Sequence, residues 1–180
     1  MKAKWALIGV CVLLPACSNM SSLFTRNPSA TAVLAPTKGN SVSGTVNFTQ
    51  KGEVVLVEAK ITGLAANGTH GFHVHEKGNC SAADASSAGG HFNPSGAKHG
   101  GQVGAVRHGG DLGNLRADAN GYAQASIEVM GITLGAEANS IIGRAVIVHG
   151  GPDDLKSQPA GNSGPRVACG LISKNPDKVF

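Results

Sequence analysis

Seven histidines punctuate this chain of 180 residues, and three of them, His70, His73 and His75, fall within the six positions HGFHVH. Imidazole is the side chain that gains and loses a proton near neutral pH, and it is also a good ligand for zinc and copper. If residues 70–75 form a strand, positions two apart share a face. His73 and His75 then project side by side while Phe72 and Val74 point into the core. Such a pair is a preformed two-imidazole edge. A single histidine is more often a surface group or a satisfied core group than a ligand, so a metal site here depends on where the remaining four fall: His91, His99, His108 and His149.

His91, His99, His108 and Asp111 supply three imidazoles and a carboxylate, a donor set that suits tetrahedral zinc. They lie in the Gly-rich stretches AGGHFNPSGAKHGG and RHGGDLGN, which have little strand character. Backbone of that kind can wrap a metal that then holds the loop in place. His149 ends the apolar run AVIVH and joins His73 and His75 in a more rigid array of three nitrogens. Copper(II) prefers four nitrogens in a tetragonal arrangement, so one further imidazole is wanted. A histidine has two ring nitrogens and can serve two metals at once.

The elements that must position these groups follow from composition and pattern. With 26 glycines, 4% aromatic and 14% charged residues, the chain suits turns and short strands better than a helical bundle. Its length fits one domain. The alternating VSGTVNF, with Val42, Gly44, Val46 and Phe48 on one face, and the β-branched run VVLVEAKITGL are expected to be the first strands. In NLRADANGYAQASIEV, Asn120 and Gly121 between alternating stretches signal a β-hairpin, because both tolerate positive φ. GRAVIVHG and RVACGLIS add two more strands. No internal repeat or long amphipathic helix is visible, so the expected fold is all-β, a sandwich or barrel of antiparallel strands.

The N-terminal MKAKWALIGVCVLLPACS has a basic opening and an apolar run too short to span a bilayer, so residues 1–16 read as a secretory signal peptide. LPAC before Ser18 is similar to a bacterial lipobox, with Cys17 as the lipid-modified first residue of the mature chain. Pro15 departs from that pattern, and an ordinary signal peptide with a chance cysteine is the alternative. Residues 17–40, rich in Ser, Thr, Asn and Pro, read as a flexible tether, and 41–180 as the folded domain. Export leaves Cys80 and Cys169 as the pair in the domain, and an oxidising compartment should join them in a disulfide. A metal-binding role for two isolated cysteines is the weaker alternative. The net charge of +4 includes Lys2 and Lys4, and no basic stripe appears, so nucleic acid is not an expected partner.

The segments HGFHVHE, GGHFNP, RHGGDLGN, VIVHGGPDDL and RVACG, in this order, resemble the motifs of the copper,zinc superoxide dismutases. The intervals from His91 to His99, His108 and Asp111, eight, nine and three residues, agree with that family's zinc loop. The resemblance runs from about Ser41 onward. It implies a Greek-key, immunoglobulin-like β-sandwich or barrel with long metal-binding and active-site loops. It also implies one copper per subunit on His73, His75, His91 and His149, and one zinc on His91, His99, His108 and Asp111, with His91 as the imidazolate bridge. Asp153 matches the carboxylate that orients metal-binding histidines from both sides. Arg166 matches the arginine that guides and holds the anion, and Cys80–Cys169 the intrachain bridge.

By this resemblance the chain is an enzyme that converts superoxide to oxygen and hydrogen peroxide, with copper alternating between two oxidation states and zinc structural. His91 is expected to take up and return a proton. His70 is expected to be structural, bonding backbone near the site. A homodimer in the periplasm or cell envelope is expected, with a monomer as the alternative, and the membrane is touched only through a lipid on Cys17. The segment DLKSQPAGNSGP lacks the acidic pair of eukaryotic members, which leaves Lys156 as a candidate second steering charge. The alternative from another class, a copper-handling module without turnover, is disfavoured because every ligand and Arg166 are present.

Overall fold

The computed structural model describes residues 27–104 and 106–175. The expected signal segment and Cys17 lie outside the described residues. The described residues form nine strands: β1 (Ser29–Pro36), β2 (Ser43–Lys51), β3 (Val54–Thr62), β4 (Thr69–His75), β5 (Asp111–Arg116), β6 (Ala123–Met130), β7 (Ala145–His149), β8 (Arg166–Leu171) and β9 (Ser173–Lys174). A single 3-10 turn at Ser86–Ala88 is the only helical element among the described residues. None of their helices is long and apolar enough to cross a membrane.

The hydrogen-bonded order is β5-β4-β7-β8-β1-β2-β3-β6, with β9 added to β1, and every pairing is antiparallel. β1 joins the two halves: Ser29–Leu34 pairs with β2, and Ala35–Pro36 with β8. The end strands β5 and β6 lie side by side, which leaves an antiparallel barrel that is nearly closed. The all-β expectation is met. Alternation explains the barrel's interior: Val46 and Phe48 on β2, Val55, Val57 and Ile61 on β3, and Phe72 and Val74 on β4 are fully buried. A smaller cluster of Ala85, Ala88, Ala145, Ile147 and Cys169 sits beneath the loop that follows β4.

Two sequence expectations need correction. β1 falls inside residues 17–40, read above as tether, so the folded part begins before residue 41 and VSGTVNF is the second strand. Its inward side chains are Ala30, Ala32 and Leu34, and two alanines carry too little apolar signal to mark the alternation. Asn120–Gly121 is no hairpin turn, because β5 pairs with β4 and β6 with β3. Gly121 alone has positive φ (73°), and the carboxylate of Asp118 organises the turn by accepting the N–H groups of Asn120 and Tyr122.

Two irregularities in the pairing lie beside the histidines. The β4–β5 register shifts between Gly71 and His73, and the β7–β8 register between Val148 and His149, which brings His149 opposite Arg166. Bulges of this kind re-aim side chains at the end of a ladder.

Candidate metal centre

β4 presents His73 and His75, β7 ends in His149, and Asp111 opens β5 rather than lying in irregular loop. The long connection from 76 to 110 carries His91, His99 and His108. Two backbone bonds fasten it to β4, Phe92 N–H to Val74 O and Val74 N–H to Gly110 O, and a third, Gly110 N–H to Phe92 O, ties the connection to itself, each at 2.8 Å. Gly110 is required there, since a Cβ would collide with Val74 O and stand 3.0 Å from Phe92 N. His75 and His91 meet as an isolated antiparallel bridge.

The side chains form two groups that share one member. His73, His75, His91 and His149 each bring one ligand atom into a set whose atoms all lie within 4.8 Å of one another, and His91, His99, His108 and Asp111 form a second such set. In the first, His73 Nδ1, His75 Nε2, His91 Nε2 and His149 Nε2 are buried and have no hydrogen-bond partner. The other nitrogen of each ring is held: His73 Nε2 by Asp153 Oδ2 (2.8 Å), His75 Nδ1 by Gly89 O (2.9 Å), and His149 Nδ1 by Gly164 O (3.1 Å). His91 Nδ1 lies 2.9 Å from Asp111 Oδ1. That oxygen is also 3.0 Å from His99 Nδ1 and 3.3 Å from His108 Nδ1. Buried nitrogens left unpaired are costly, and their convergence is what a cation with nitrogen ligands would repay. The donor sets therefore fit copper and zinc.

Electrostatics agree with that chemistry. Burial lowers His73 to about 4, despite Asp153, and it lowers His75 to about 2 and His149 to about 3, with neighbouring histidines adding to the effect. These rings are neutral near pH 7 and keep a lone pair for a metal. Asp111 lies far below the usual carboxylate range: burial opposes this, but bonds from His91 and from the backbone of Gly100 and His108 prevail. His99 is raised, because Asp153 and Asp111 outweigh the burial that would lower it.

Asp153 spans the two groups, with Oδ2 on His73 and Oδ1 2.9 Å from His99 Nε2. Arg166 donates from its two terminal nitrogens to Ala85 O and Gly89 O, both at 2.6 Å. The Cys80–Cys169 disulfide is formed, with a Cα–Cα distance of 5.8 Å. It fastens the connection that supplies those two carbonyls to the strand that carries the arginine. His70 stands apart from both groups and bonds His149 O through Nδ1 (2.9 Å). A cavity of about 370 Å³ is lined by His75, His91, His149 and Arg166, together with Pro159 and Ala160. A larger cleft of about 680 Å³, bordered by Arg107, Met130 and Glu137, contains no histidine.

Sequence reasoning missed several supports. Asn114 brackets Asp153 with two backbone bonds, Nδ2 to Asp153 O (2.9 Å) and Asp153 N–H to Oδ1 (2.8 Å). The carbonyls of Ala85, Gly89 and Gly164 have no side-chain signature that could have announced them.

The copper/zinc superoxide dismutase family model matches residues 42–172. The Cu-Zn superoxide dismutase of Paramecium bursaria Chlorella virus 1 is 43% identical over 170 residues, covering 91% of this chain and 88% of the relative. That of Yarrowia lipolytica is 45% identical over 152 residues, covering 79% and 96%, and that of Cordyceps militaris 43% over 139 residues, covering 73% and 89%. Barrel, paired histidine groups and matched segment agree, and the chain belongs to the copper/zinc superoxide dismutase family.

Proposed function

We propose that in this superoxide dismutase copper is held by His73, His75, His91 and His149, and zinc by His91, His99, His108 and Asp111. The observation that carries the assignment is the cluster of four buried, unpartnered imidazole nitrogens that shares His91 with a carboxylate-containing group. When bound, copper supplies the one-electron redox chemistry by which two superoxide anions and two protons become oxygen and hydrogen peroxide.

The chain's own residues bind, orient and move protons. Arg166 borders the cavity, and its guanidinium has five N–H donors, so the two spent on Ala85 and Gly89 leave others for a small anion. His91, with Nδ1 toward Asp111 and Nε2 toward His73, His75 and His149, can hold a proton at Nε2 and return it to the departing peroxide. Asp153 fixes the orientation of His73 and His99 together. Lys156, exposed on the segment that leads to the cavity wall, is the candidate second steering charge.

Residues 1–16 are assigned to export and Cys17 to lipid attachment, with a tether ending before β1, in an enzyme that protects the periplasm or cell envelope. The order of basic residues, apolar run and LPAC supports this. Exposed Val33 and Leu171, on the paired strands β1 and β8, support a homodimer. The mass of the mature N-terminus tests the anchor, and sedimentation tests the dimer.

The deciding experiment loads the chain, with Cys17 replaced, with copper and zinc and follows superoxide decay at several ionic strengths. Fast catalytic decay that slows with salt supports both the redox assignment and the role of Arg166. Full metal occupancy without catalysis would overturn it in favour of metal storage.

A further inference from the structure

The segment between His149 and Arg166 has little apolar packing to hold it. Residues 154–162 are hydrogen-bonded largely among themselves, with Leu155 N–H also donating to Asp153 Oδ1 (2.7 Å) and Ser163 Oγ to Ala160 O (3.0 Å). Asp154 Oδ1 accepts the N–H groups of Lys156 (3.0 Å) and Ser157 (2.8 Å), its Oδ2 accepts Asn162 Nδ2 (3.1 Å), and Asp154 N–H donates to Gly161 O (2.9 Å). Its one large apolar side chain, Leu155, is 42% exposed. Pro159 and Ala160 of this unit line the cavity together with His75, His91, His149 and Arg166.

Gln158 links the unit to the zinc-side loop. Its Oε1 accepts the backbone N–H of His99 (2.9 Å), and its Nε2 donates to the carbonyl of the same residue (3.0 Å) and to Lys156 O (3.1 Å). Among the described residues no other hydrogen bond reaches either backbone group of His99. A primary amide can donate and accept at once, as the backbone of one residue demands, whereas a lysine or a carboxylate can do only one of the two. The His99 ring is at the same time held by Asp153 at Nε2, while its Nδ1 faces Asp111 Oδ1 at 3.0 Å without a hydrogen bond.

The geometry points to Gln158 as a positioning residue for the reaction, one whose amide locks the cavity wall at Pro159–Ala160 and the imidazole of His99 into a single rigid piece. This rests on the assignment of His99 to the zinc group. Zinc retention and the placement of the cavity wall at Pro159–Ala160 are then set by the same side chain, although that side chain touches neither metal ligand atom nor substrate.

The test replaces Gln158 by methionine, which has similar length and no comparable hydrogen-bonding capacity, in the chain loaded with copper and with cobalt(II) as a spectroscopic substitute for zinc. Expected are a changed cobalt visible spectrum, cobalt and zinc transfer to a chelator faster on the order of tenfold, the worth of one to two net hydrogen bonds, and an unchanged rate of copper loss. Equal acceleration for both metals would mark general loosening and overturn the proposal. So would an unaltered spectrum with unaltered release. His99→Ala in the otherwise unsubstituted chain is the control: a cobalt spectrum indifferent to it would overturn the zinc assignment, and the proposal with it, in a way distinct from failure of Gln158 alone.

Discussion

Breaking the disulfide by Cys80→Ala tests whether the loop after β4 holds the centre together or merely covers it. Cys80 is exposed, so the substitution removes little packing, while Cys169 keeps its place in the cluster with Ala85, Ala88 and Ile147. The bridge closes a sequence separation of 89 residues. On the chain-entropy account, opening such a loop in the unfolded state costs the folded state about 4.6 kcal/mol, within the range of about 2–5 seen when native bridges are removed. The assay is guanidinium unfolding of the metal-free chain, Cys17 replaced in both forms, so that metal binding does not mask the difference. Arg166 should suffer as well, because Ala85 O and Gly89 O hold its guanidinium and both lie in the released segment. The metal-loaded variant should show slower superoxide decay with a weaker dependence on salt. A stability loss below about 1 kcal/mol would refute the entropic reasoning. A large loss with activity and salt dependence intact would refute the link to Arg166.

Acid should destabilise the metal-free chain. His73, His75 and His149 have folded values of about 4, 2 and 3 against 6.5, so the unfolded state binds protons first as pH falls below 6.5. At pH 5 each ring then removes up to about 2 kcal/mol, a loss that urea titrations across pH 7.5–4.5 would read and that bound metal would suppress. Gly161→Ala places a Cβ on Asp153 Oδ1 and 2.6 Å from His99 Nε2, at a residue with φ of 66°. Zinc affinity, measured by chelator competition, should fall by roughly 10–100-fold. Arg166→Ile should lower kcat/KM by about tenfold or more and flatten its salt dependence, measured by pulse radiolysis.

The groups proposed as metal ligands were legible in part from residue type and spacing: few side chains can replace an imidazole, and period two on β4 gives His73 and His75 one face, while the place of His91 in both sets came from the family resemblance. Asp111 was legible as the carboxylate that completes a donor set of three imidazoles, and Asp153 only through the family resemblance. What lay hidden was partly side chains whose partners are distant in sequence, Asn114 on Asp153 and Gln158 on His99, and partly backbone carbonyls without side-chain identity. Gly89 O receives both the His75 ring and Arg166, and nothing in a glycine announces an acceptor. β1 was hidden because alanines at 30 and 32 satisfy a tight interior without raising the apolar signal. The signal at Asn120–Gly121 misled because it reports local turn geometry, whereas β5 and β6 take their ladder partners from β4 and β3.

The sheet order separates two kinds of evolutionary freedom. The strands that bear the proposed metal ligands, β5, β4 and β7, are consecutive at one end, followed by β8 with Arg166, while β2, β3 and β6 at the other end bear none. Outward positions on the latter three, such as Glu58, Lys60, Gln124 and Glu128, can drift while the centre stays intact. A saturation library selected for growth under superoxide stress should therefore recover a lopsided map, permissive on one flank of the barrel and nearly silent on the other.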